Sequence, residues 1–73
     1  MKLSEFWRSM EEEFGRGYAR VVAAQTVLDA AGNRTAEEAL AAGMKPLAVW
    51  QAVCRQHDLP EDRWLGADPG EPR

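Results

Sequence analysis

The chain has 73 residues with a formal net charge of -3 and a pI near 5.0, and 45% of it is hydrophobic against 29% charged. A chain this short holds one core and buries only about 60% of its unfolded surface, while the composition as a whole is that of a globular protein rather than a disordered one. The acidic balance disfavours non-specific attraction to phosphate backbones, which needs clustered Lys and Arg; here the basic residues are scattered.

Ser4 is a good N-cap with Glu5 in the turn behind it, and Leu3, Phe6, Trp7, Met10 and Phe14 fall at helical spacing. These predict a first helix that ends at Gly15. Arg8, Glu11, Glu12 and Glu13 take the other side and read as a solvated face. A second helix is predicted from Tyr18 to Ala31, apolar nearly all round through Val21, Val22, Ala24, Val27 and Leu28. Only Arg20, Gln25 and Asp29 give it a polar strip, so it is expected to be the central, most buried helix. Gly32 and Asn33 tolerate the left-handed backbone that closes such a helix, and Gly15 and Gly17 are read the same way upstream.

Thr35 followed by Glu38 has the spacing of a capping box, which predicts a short third helix over residues 36–42. Gly43 stops it, Met44 and Lys45 turn, and Pro46 suits the first position of a fourth helix running to about His57. The inward stripe of that helix is Val49, Trp50, Val53, Cys54 and His57, with Gln51, Arg55 and Gln56 outside. Leu59 and Pro60 break it, and one further turn brings Arg63, Trp64 and Leu65 back onto the body. No strand pattern and no internal repeat is visible. The expected architecture is all-α: a bundle of four short helices within residues 1–65, followed by a flexible tail, 66–73, rich in proline, glycine and charge.

Residues 35–56 also resemble a helix-turn-helix. Ala39 provides the small residue at the crossing, Gly43 the positive φ, and Met44 and Val49 the inserted apolar groups, although Glu38 stands where an apolar residue is usual. Reading bases needs polar side chains at the start of the second helix, and this one offers Pro46, Leu47 and Trp50. Only Lys45, Gln51 and Arg55, with Arg34 as a further cation, are suited to nucleic acid. The same region suits a protein partner better. Lys45, Leu47, Trp50, Gln51 and Arg55 are therefore the candidate partner-binding residues, Trp being a frequent hot spot. Against that, Trp7 and Trp50 have the burial habits of core residues, and Trp64 is balanced between core and surface.

Catalytic and metal chemistry find little support. Cys54 and His57 lie three apart on one helix, but a structural zinc needs about four ligands and the chain has no other Cys or His. A Cys54, His57 and Asp58 arrangement is local in sequence, with no second layer to form a cleft. Gly15 and Gly17 lack the context of a phosphate loop. The pairs Glu37–Glu38 and Glu61–Asp62 sit in first turns, where the helix dipole stabilises them. No enzyme activity, cofactor or metal is expected. The unpaired Cys54, and an amino terminus MKLSEFWRSM without a signal-peptide apolar run, point to the cytoplasm. The uncharged run Val21 to Leu28 is far short of the roughly 20 residues of a membrane span.

The pattern Phe6-Trp7, Met10, Phe14-Gly15, Tyr18-Ala19, Val27-Leu28, Arg34-Thr35, Ala39-Leu40, Gly43, Val49-Trp50, Ala52-Val53-Cys54 and Leu59-Pro60 spans about residues 1 to 63. On it the chain resembles the short actinobacterial proteins grouped as domain of unknown function 3046. Asn33 stands where that pattern has a second glycine. The resemblance implies a small helical cytoplasmic protein with no assigned activity, cofactor or catalytic residue. It also implies a link to DNA recombination or repair, through genes near those for recombinase A.

Overall fold

Gly15 sets the shape of the first half of the protein. In the computed structural model, which describes residues 1–64, its φ of 90° and ψ of 155° let one residue both close α1 (Leu3–Phe14) and open α2 (Arg16–Gln25). That backbone region is essentially reserved for glycine. The two helices pack on each other as a hairpin.

In α1, Phe6, Ser9 and Met10 form the buried stripe, while Trp7 and Phe14 are half-buried and Leu3 is exposed. The helix starts earlier than the Ser4 cap predicts. Its N-cap is Lys2, whose backbone N–H donates to Glu5 Oε1 at 2.8 Å, so the glutamate side chain satisfies the orphan amide and Ser4 lies exposed in the first turn.

The second half of the expected helix over 18–31 is not helical. α2 stops at Gln25, Thr26 turns extended, and β1 (Val27–Leu28) pairs antiparallel with β2 (Arg34–Thr35) in the register Val27 to Thr35 and Leu28 to Arg34. The run Thr26-Val27 is β-branched and suits extended backbone. A 3₁₀ turn at Asp29–Ala31 follows, and Gly32 and Asn33 then take left-handed backbone with φ of 74° and 61°. The Gly-Asn pair thus caps this 3₁₀ turn with left-handed backbone, as expected of a helix end, but within the reversal of a small ladder and not at the end of an α-helix. Gly17 is an ordinary helical residue and takes no positive φ.

The capping box at Thr35 is present: Glu38 N–H donates to Thr35 Oγ1 at 3.1 Å and Thr35 N–H donates to Glu38 Oε1 at 3.0 Å. It opens α3 (Ala36–Ala41), which buries Ala36 and Ala39. Gly43, at φ 97°, ends that helix, with Gly43 N–H bonded to the Leu40 carbonyl and Met44 N–H to the Ala39 carbonyl. Pro46 then stands at the first position of α4 (Pro46–Gln56).

The most buried helix is α4, not α2. Val49, Trp50, Ala52, Val53 and Cys54 are all enclosed, and α4 touches α1, α3 and the Asp29–Ala31 turn. Trp50 meets Phe6 edge to face, centroids 6.5 Å apart. Beyond α4, Asp58 takes φ 57° and Leu59 N–H bonds back to the Cys54 carbonyl, ending the helix with a left-handed residue. A last 3₁₀ turn, Glu61–Arg63, returns to the body as expected. There Trp64, half-buried, donates from Nε1 to the Leu59 carbonyl at 3.0 Å, and the Arg63 guanidinium meets Glu13 of α1 at 2.6 Å. Leu65 and the tail 66–73 lie outside the described residues. The fold is four helices around one core, with the two-residue ladder as an addition the sequence pattern did not show.

Candidate functional site

The five residues expected to bind a partner do not share one surface. Trp50 is 1% exposed and belongs to the core, because its position on α4 faces Phe6 and its indole N–H is used internally on the Arg63 carbonyl. It is withdrawn as a partner-binding residue. Leu47, Gln51 and Arg55 recur every four residues and so form one stripe on the open side of α4. Leu47 is half-buried against the core, Gln51 is half-buried and Arg55 is exposed. Lys45 is exposed at the N-cap position. The Arg55 guanidinium lies 5.3 Å from the centre of the Trp64 ring, a cation–π contact that gives the stripe a cationic and aromatic end.

A second surface was missed by the sequence pattern. In α2, Ala19, Val22 and Ala23 make the inward stripe at spacings of three and four, which leaves their neighbours outside. Tyr18 is 60% exposed and Val21 43%, one turn apart, and Val27 of β1 is likewise open. Val21 and Val22 lie 100° apart on the helix, and of the two only Val22 meets the core. Reading the segment as apolar all round hid this difference. Arg20, on the same helix, lays its guanidinium over the Trp7 ring at 3.9 Å, covering the half-buried indole with a cation. Arg16, Arg20 and Arg34 are all exposed, and among the described residues no carboxylate pairs with them.

Cys54 and His57 both lie in packed surroundings. Cys54 is fully buried, and its thiol is pushed up to about 11, first by burial and then by the Glu13 carboxylate, so near neutral pH it keeps its proton. The His57 ring packs against Phe14 with centroids 4.9 Å apart, and its Nε2 is buried with no hydrogen-bond partner among the described residues. No three His, Cys, Asp or Glu converge on a metal-sized site among those residues, and no described helix is long and apolar enough to cross a membrane.

No curated protein and no solved structure is similar to this chain. One family does match. With residues 1–62 covered by the model of the family described as protein of unknown function (DUF3046), the chain belongs to that family.

Proposed function

We propose that this protein is a small protein-interaction module, binding a partner through an exposed helix face and carrying out no chemistry of its own. The observation that supports this most is the placement of Tyr18 and Val21 on the outside of α2 in a protein whose other large apolar groups mostly close one core. Adjacent exposed apolar groups, rimmed by polar residues, are where partners dock. The stripe of Leu47, Gln51 and Arg55, with Lys45 at its head, is a second candidate contact.

The test is capture of partners from a native cell extract on immobilised protein, comparing wild type, Val21→Asp and Leu47→Asp, each verified as folded by circular dichroism. Chemical-shift mapping with the captured protein should then perturb Tyr18 and Val21, and Val21→Asp should reduce capture at least tenfold. Equal retention by all three proteins would end this reading.

Nucleic-acid binding through Lys45, Gln51 and Arg55, with Arg34, is the second reading. It draws support from the α3–α4 pair, which places Ala39 in the core, Gly43 at positive φ and Val49 inside, as a helix-turn-helix requires. The first turn of α4 supplies Pro46, Leu47, Ala48 and Val49, none suited to base edges. Titration with duplex DNA at two salt concentrations distinguishes the readings, since a steep salt slope marks phosphate contacts.

A further inference from the structure

We infer that the partner received by the outer face of α2 is an acidic amphipathic helix. This rests on the interaction-module reading and adds the chemistry of the occupant.

Charge is unevenly distributed over the fold. Glu5, Glu11, Glu12 and Glu13 lie on α1, and Glu37 and Glu38 on α3. By contrast α2, with the sequence RGYARVVAAQ, has Arg16 and Arg20 and no acid. Arg34 continues the cationic side in β2, which packs against α2, and Asp29 is the single acid between Arg16 and Ala36. A net-acidic protein thus has one helix that carries exposed apolar groups, Tyr18 and Val21, together with exposed arginines that no carboxylate of the described residues meets. Guanidinium groups bind carboxylates with two parallel hydrogen bonds, and the stacking of Arg20 on Trp7 leaves its edges available for that geometry.

The shape of the face fits a helix. By helical geometry Gly17, Val21 and Ala24 form its crest. Gly17 has ordinary helical backbone, and a Cβ placed there would meet nothing within 4 Å, so the fold itself does not need glycine at this position. A glycine in a helix costs roughly 0.5–1 kcal/mol relative to alanine. What it provides is a low point on the crest, which lets another helix axis approach closely. A second copy of the chain is a poorer occupant. Its acidic helix, α1, exposes Arg8 and Glu12, already paired with each other at 3.7 Å, and its one exposed large apolar residue is Leu3 at the helix's first position.

The probe is a library of random peptides displayed on phage, selected on the immobilised full-length protein at low and physiological salt. Enriched peptides should carry net negative charge with apolar residues at spacings of three and four. They should lose at least tenfold in binding to Val21→Asp and to Arg16→Glu, and gain nothing from Arg16→Lys. Enrichment of neutral or basic peptides, of none, or of peptides that bind Val21→Asp equally, overturns the inference. So does duplex DNA displacing the selected peptides at physiological salt. If native capture depends on Val21 yet is indifferent to Arg16→Glu, the interaction-module reading stands and only the acidic partner is lost.

Discussion

The indole Nε1 of Trp50 donates to the backbone carbonyl of Arg63 at 3.0 Å, joining the largest core side chain to a turn thirteen positions further along. The same Arg63 reaches Glu13 with its guanidinium. The last turn, the fourth helix and the first helix are therefore coupled through one residue that supplies a carbonyl inward and a cation outward.

Trp50→Phe keeps a ring against Phe6 but removes that donor, and should cost about 1–3 kcal/mol from the unpaired carbonyl and the smaller ring. Trp50→Ala should cost about 3–5 kcal/mol. In a domain whose net stability is a few kcal/mol, the alanine variant should be largely unfolded at 25 °C. Urea denaturation followed by circular dichroism reads both.

Gly15→Ala forces an L side chain into backbone that glycine alone adopts readily, at φ 90° and ψ 155°. The expected loss is about 1–3 kcal/mol, even though a Cβ at that site meets no atom within 4 Å. Gly17→Ala, one helical position inside α2, should instead stabilise by roughly 0.5–1 kcal/mol. Opposite signs for two neighbouring Gly-to-Ala changes, measured as shifts in urea midpoint, separate conformational strain from crowding.

Thr35→Ala removes the hydroxyl that accepts the Glu38 amide and should cost about 1 kcal/mol. Thr35→Ser retains that acceptor and should cost less. Glu38→Gln, which keeps an oxygen for the Thr35 amide at the other end of the box, should also be mild. Amide hydrogen exchange at Glu38 reports the cap directly, and unchanged exchange in Thr35→Ala would show that water replaces it.

Cys54 gives a pH dependence of definite sign. Its thiol rises from 9.0 in the unfolded chain to about 11 in the native state, through burial first and then Glu13. The folded protein therefore holds a proton that the unfolded chain releases. Stability from this group is fully present below pH 9.0 and is lost as pH climbs through about 11. Comparing the urea midpoints of wild type and Cys54→Ala across that range should show a steeper decline in wild type. Thiol-modifying reagents should react with native Cys54 at pH 7 only as fast as the core opens.

Local chemistry was the legible part of this fold. The Thr35 and Glu38 box, Pro46 at a helix start, Gly15 and Gly43 at helix ends, and the α4 stripe of Val49, Trp50, Val53 and Cys54 are found where the sequence puts them. Each depends on groups within one turn, or on one helix's own period. The failures came where tertiary pairing decides. Thr26-Val27-Leu28 has enough apolar character to extend a helix, but pairing with Arg34 and Thr35 holds it extended. Reading that stretch as helix moved the centre of the core from α4 to α2. Trp50 suits both an inward stripe and a partner contact by sequence, and its enclosure against Phe6, with its bond to Arg63, gives it the core role. The outward Tyr18 and Val21 went unseen because a mostly apolar segment conceals which of its faces is covered.

The three indoles occupy unlike surroundings: Trp50 is sealed against Phe6, Trp7 lies beneath a guanidinium, and Trp64 is half-open beside Arg55. The protein consequently contains its own set of optical probes. Variants that retain one indole at a time should emit at three distinct wavelengths, bluest for Trp50, and report separately on the interior, the α1–α2 seam and the closing turn as the chain is perturbed.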